Sequence, residues 1–139
     1  MSDCPLCNSA GGILLLEKNG WRVIRAEEEN YPAFYRVISN SHVAEWSELS
    51  ASERAAGMDL MLGVEEILRA QLQPRKINLA SLGNVVPHLH WHIIARFDWA
   101  SHFPAPVWGP PVRSAPTEQL QALAGKLAAV DAAIVQRLG

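Results

Sequence analysis

The chain has 139 residues, 49% hydrophobic and 19% charged, with a formal net charge of −2, which suits one globular domain over residues 1–139. No run of about 18 apolar residues occurs, which excludes a membrane-spanning helix, and the charge balance leaves no basic footprint for duplex nucleic acid. Met1-Ser2-Asp3-Cys4 lacks the basic and apolar regions of a signal peptide, so a cytoplasmic protein is expected.

In chain order, the first motif is Cys4-Pro5-Leu6-Cys7. In a reducing compartment a Cys-x-x-Cys is a metal half-site, a redox pair or a pair of incidental thiols. A redox pair would open a helix after a strand, whereas Asn8-Ser9-Ala10-Gly11-Gly12 reads as a turn or knuckle. Apolar runs over 13–17 and 21–26 bracket Lys18-Asn19-Gly20, and Asn-Gly supplies the positive φ angles of a tight hairpin turn. Glu27-Glu28-Glu29-Asn30 reads as a solvated loop, and Tyr31-Pro32 opens an extended segment carrying Phe34, Tyr35, Val37 and Ile38. His42 follows in a loop.

Ser50 with Glu53 three residues later forms a capping-box pattern, and Leu60, Met61, Val64, Ile67 and Leu68 make one apolar stripe on a helix over about 52–72. Pro74 ends that helix and 76–81 returns as a strand. The connector Leu82-Gly83-Asn84-Val85-Val86 has either ordinary turn chemistry or a site role. A glycine lets the backbone approach a phosphate, and the carboxamides of Asn78 and Asn84 can donate to ribose or phosphate oxygens.

Three of the five histidines then fall at alternate positions in Pro87-His88-Leu89-His90-Trp91-His92-Ile93-Ile94. Alternation predicts a strand with His88, His90 and His92 on one face and Leu89, Trp91 and Ile93 on the other. Neighbouring histidines on a straight strand stand roughly 7 Å apart, so three from one strand would strain to grip a single tetrahedral ion. A row suits an elongated anion, with one ring attacking while others orient or neutralise it. The 97–111 segment is rich in aromatic residues and proline; Trp99, Phe103 and Trp108 can stack on a base or cover the core, and His102 is a surface or a site residue. Leu120, Leu123, Leu127, Val130 and Ile134 predict a C-terminal helix over about 117–137.

The element order argues for an α+β domain with an antiparallel sheet and helices to one side. His88-Leu89-His90-Trp91-His92-Ile93-Ile94 matches all seven positions of His-φ-His-φ-His-φ-φ and resembles the signature of the histidine triad (HIT) superfamily of nucleotide hydrolases and transferases. The resemblance runs over about 4–109 and looks closest to bacterial HIT proteins described as diadenosine polyphosphate hydrolases. It implies a HIT-like fold and homodimers, with a dinucleoside polyphosphate or nucleoside phosphoramidate as substrate. His90 would attack the α-phosphate to give a nucleotidyl-histidine, His92 would bind phosphoryl oxygens, and Gly83, Asn84 and Asn78 would add contacts. Several relatives hold zinc on a set comparable to Cys4, Cys7, His42 and His88, so a structural zinc is expected here and no catalytic metal. This sequence has Asn84 where relatives commonly have Gln, and Ile24-Arg25-Ala26-Glu27 where many carry an apolar-Asp pair that contacts ribose. The residues leave other classes open: a nucleotide-binding or scaffolding protein with little turnover, and a zinc hydrolase using the histidine strand directly.

Overall fold

The computed structural model describes residues 3–139. A short helix α1 (Pro5–Asn8) precedes the hairpin β1 (Ile13–Lys18) and β2 (Trp21–Arg25), followed by β3 (Phe34–Ser39) and the long helix α2 (Ala51–Leu72). Then come β4 (Lys76–Ala80), β5 (His90–Arg96) and two C-terminal helices, α3 (Thr117–Ala124) and α4 (Leu127–Leu138). The five strands form one antiparallel sheet in the order β1-β2-β3-β5-β4, so the α+β arrangement expected from the sequence is the one observed.

Local chemistry accounts for the elements. The hairpin turns at Asn19 and Gly20, whose φ angles of 52° and 86° suit the tight turn that the Asn-Gly pair specifies. The Ser50 hydroxyl accepts from the Glu53 backbone N–H while the Glu53 carboxylate accepts from the Ser50 N–H, which fixes the start of α2. Gln73 in the left-handed region closes that helix one residue before Pro74. The helix expected over about 117–137 is interrupted between Ala124 and Leu127, because Gly125 is a poor helix former and Lys126 N–H turns back to the Leu123 carbonyl.

Helix α2 packs on one face of the sheet, where Trp21, Val23, Tyr35, Val37 and Ile93 meet Leu60, Met61, Val64, Ile67 and Leu68 in the main core. Helix α4 packs beside it and contributes Leu127, Val130 and Ile134. The opposite face carries a smaller apolar cluster of Leu6, Ile24, Phe34, Ile38, Ile94 and Val107, covered by α1 and the 97–111 loop. Cross-strand partners share a face, so the pairs Arg36↔His92, Ile38↔His90 and Phe34↔Ile94 place the histidines on this second face, away from α2. Trp91 pairs with Val37 and packs against the main core, as the alternation predicts. Among the described residues no helix is long and apolar enough to cross a membrane.

Candidate functional site

The histidine row divides into two functions. Strand β5 begins only at His90, because Pro87 and the backbone bond from His88 N–H to the Val86 carbonyl turn the chain just before it. His88 therefore leaves the straight row expected from alternation. It is fully buried, and its Nε2–H donates to the Ser39 carbonyl at 2.6 Å, which leaves Nδ1 as a lone-pair donor. Burial holds this imidazole below its ordinary pKa, favouring the neutral ring.

His88 Nδ1 faces Cys4 Sγ at 3.4 Å, Cys7 Sγ at 3.5 Å and His42 Nδ1 at 3.1 Å, while Cys7 Sγ lies 3.3 Å from His42 Nδ1. The four donor atoms all lie within 4.8 Å of one another. A tetrahedral ion with bonds of about 2.0 to 2.3 Å separates its ligands by roughly 3.3 to 3.8 Å, so two thiols and two imidazoles at these spacings have the donor set and reach for such an ion. Arg22 anchors the loop that carries the thiols. Its guanidinium is buried and donates to the Leu6, Ser9 and Ala10 carbonyls and to Asn40 Oδ1.

His90 and His92 face a separate cavity of about 280 Å³, walled by Leu82, Gly83, Asn84, Val85, Val86 and Trp108. His90 Nδ1–H donates to the His88 carbonyl at 2.6 Å, so the lone pair of this ring resides on Nε2. His92 is 5% exposed and is boxed by edge-on rings: Phe34 at 5.4 Å, His90 at 5.0 Å and Trp108 at 5.0 Å between centroids. Burial first, then the nearby Arg36 charge, pushes the His92 pKa down to about 3. The Nε–H of Arg36 donates to His92 Nδ1 at 3.2 Å. Gly83 has φ +70°, and an added Cβ there would meet only the Val86 carbonyl at 3.6 Å. The left-handed turn, rather than crowding, is what calls for glycine.

Not every expected residue joins this cavity. Asn78 lies on the histidine face, but its register partner is Ile94, two pairs further along the strands than His92 and Ala80. Its carboxamide oxygen accepts from Arg96 Nη1 at 2.6 Å, and Asn78 lines a neighbouring cavity of about 500 Å³ instead. Trp108 and Leu82 belong to both cavities. Arg25, within the Ile24-Arg25-Ala26-Glu27 stretch, binds Asp131 of α4 at 3.0 Å on the other face. His102 is buried between the Tyr31 hydroxyl at 2.7 Å and Ser101 Oγ at 2.8 Å, where it braces the loop that carries Trp108. A larger open groove of about 540 Å³ near Glu27, Glu28 and Glu29 contains no histidine, and its carboxylates would repel a phosphate.

Sequence reasoning missed Arg36. A lone Arg inside Phe34-Tyr35-Arg36-Val37-Ile38 was the available signal, because a cation within an apolar strand needs a partner.

No curated protein matches the sequence. Among solved structures, a histidine triad protein from Bradyrhizobium japonicum is 26% identical, with a TM-score of 0.75 over 94% of this chain and 92% of that one. A histidine triad protein from Marinobacter aquaeolei is 29% identical, with a TM-score of 0.69 over 90% and 92% of the two chains. The HIT domain model matches residues 11–99, well over half of the chain, and takes in the hairpin, α2 and the whole histidine strand. The chain therefore belongs to the HIT domain family, whose members are generally nucleotide-binding hydrolases and transferases.

Proposed function

We propose that the protein cleaves a phosphoanhydride or phosphoramidate bond at a nucleoside α-phosphate, with dinucleoside polyphosphates or nucleoside phosphoramidates as substrates. His90 is the nucleophile. The observation that carries this reading is the 2.6 Å bond from His90 Nδ1–H to the His88 carbonyl, which puts the Nε2 lone pair on a ring facing the Gly83-Asn84 loop. Nε2 attacks phosphorus, the leaving group departs with the electron pair of the bond to phosphorus, and a nucleotidyl-histidine forms. Water or another acceptor then attacks phosphorus and displaces the imidazole. His92, Asn84 and the Gly83 backbone bind the phosphoryl oxygens, and positioning of this kind can supply most of the catalysis in phosphoryl transfer. Asn78 contributes from the adjoining cavity.

The two thiols and two imidazoles of Cys4, Cys7, His42 and His88 would hold zinc as a closed four-ligand site, which supplies fold stability and leaves no position for substrate. The His88 Nε2–H bond to Ser39 is the outer contact that keeps this ligand in the correct tautomer. A reducing cytoplasm, where both thiols stay reduced, is the setting that fits. The cavity receives two histidines rather than three, which argues against a zinc hydrolase built directly on the histidine strand.

The test is intact-protein mass spectrometry after brief exposure to diadenosine tetraphosphate and to adenosine phosphoramidate. A mass increase of one adenylyl group is expected, located on His90 by peptide mapping and absent in His90→Asn, which should still bind nucleotide. Binding without product in the wild-type protein would favour a nucleotide-binding role, and an adduct on His92 or His102 would overturn the assignment.

A further inference from the structure

We propose that Arg36 is a positioning residue for His92, holding its ring in the single neutral tautomer that presents Nε2–H to the cavity. The inference deepens the proposed reaction and rests on it for the catalytic consequence, although the tautomer itself does not depend on any substrate.

The geometry starts from the sheet. Arg36 and His92 are register partners on adjacent strands, so their side chains leave the same face side by side. The guanidinium lies over the Phe34 ring at 5.0 Å, and Phe34 also meets the edge of His92 at 5.4 Å. Arginine has no acceptor and does not give up its charge in proteins, so the contact between Arg36 Nε and His92 Nδ1 at 3.2 Å has only one sense. Arg36 donates and Nδ1 receives. Nδ1 therefore carries no proton, and the only proton on the neutral ring is on Nε2. A doubly protonated ring would set two N–H groups and two cations against each other. Arg36 thus makes His92 a neutral donor and opposes its service as a cationic acid.

The two histidines of the cavity are set in opposite tautomers by different partners. The His88 carbonyl accepts from the Nδ1–H of His90, which keeps the proton there and frees Nε2 to attack; Arg36 donates to Nδ1 of His92 and leaves Nε2–H to meet a phosphoryl oxygen. One ring offers a lone pair and its neighbour offers a proton, which is the pairing an attacked phosphate needs.

The first measurement uses the full-length protein labelled with ¹⁵N and no nucleotide. Long-range ¹H–¹⁵N spectra should show His92 Nδ1 as an unprotonated nitrogen and Nε2 as a protonated one, with a coupling across the hydrogen bond between Arg36 Nε and His92 Nδ1. A protonated Nδ1 overturns the proposal whatever the protein's reaction is. The second is a double-mutant cycle on adenosine phosphoramidate turnover. Arg36→Met keeps the length of the side chain without the donor and should lower kcat by about 10- to 100-fold with little change in KM. Arg36→Lys, which restores a donor that cannot accept, should recover most of that loss. In a His92→Gln background Arg36→Met should cost less than about twofold, because its effect runs through His92. Equal losses in both backgrounds would show that Arg36 acts independently and would overturn the inference. Failure of adenylyl transfer to His90, with the Arg36–His92 coupling intact, would refute the proposed reaction and leave the tautomer assignment standing.

Discussion

At the scale of single residues, the site is built from imidazoles that differ in burial and in what their nitrogens touch. His92 stays neutral in the folded chain down to about pH 3, against an ordinary value of 6.5. Between those values the unfolded chain binds a proton that the folded chain refuses. His92 therefore lowers folding stability as pH falls from 6.5 toward 3 and has no effect above that window. Thermal midpoints measured from pH 7.5 to 4.5 should fall less steeply in His92→Gln than in the wild-type protein; parallel slopes would mean that the ring protonates without cost when folded. The same scale shows what could be read in advance. The grouping of Cys4, Cys7, His42 and His88 was legible only through the family resemblance, since ligand chemistry alone does not select two of the five histidines. The lone Arg36 was visible, but its partner was not, since that depends on which residue of a strand 56 positions away lies opposite it. The partner of Asn78 was not legible either: its carboxamide oxygen accepts from Arg96, 18 positions on, a bond that does not engage the NH2 group able to donate to a phosphate.

Among the elements, α2 meets the sheet more closely than its sequence suggests. A Cβ placed on Gly57 would come within 2.6 Å of the Trp21 ring, and Trp21 is held by its Nε1–H bond to the Glu53 carbonyl at 2.8 Å. Gly57→Ala should therefore destabilise the protein by about 1 to 3 kcal/mol in chemical denaturation, although alanine is the better helix former. A stabilised variant would mean that α2 can shift outward. Trp91 lies on the same face, edge-on to Trp46 at 5.3 Å. It is half-buried, so Trp91→Ala should cost about 3 kcal/mol, at the lower end of the range for aromatic core truncations, and leave nucleotide affinity in the folded fraction unchanged. Loss of affinity with full stability would put the register of β5 off by one residue. The hairpin and α2 were legible because Asn19-Gly20 and the Ser50/Glu53 box are local signals. The start of β5 at His90 was hidden by the unbroken alternation, which continues back through His88 although the backbone turns there.

For the molecule as a whole, the N-terminal loop is tied to the sheet by Arg22 and by the Cys/His cluster. Metal analysis of purified protein should find about one zinc per chain, and chelation or Cys4→Ala should lower the thermal midpoint more than it changes nucleotide affinity in the surviving fold. A metal-free protein of unchanged stability would refute this. The sheet ends on β4, with Leu79 and Leu82 exposed near it, and homodimers are what the family resemblance implies. Sedimentation of the intact chain at micromolar concentration should give twice the 15.3 kDa mass.

His88 bears on how any mutational survey of the motif must be read. It is the only one of the three histidines with both ring nitrogens engaged within the protein interior, one on Ser39 and one on the Cys/His cluster, and its carbonyl aims the His90 ring. A side-chain substitution at position 88 leaves that carbonyl in the chain, with the backbone bonds of His88 and Leu89, but removes both side-chain anchors beside it. An inactive His88→Ala protein would resemble the loss of a reacting group while reporting a lost mounting. Chemical rescue separates the two: imidazole added to a His90→Gly variant can take the place of the missing ring, whereas no small molecule can re-seat a displaced backbone oxygen behind position 88.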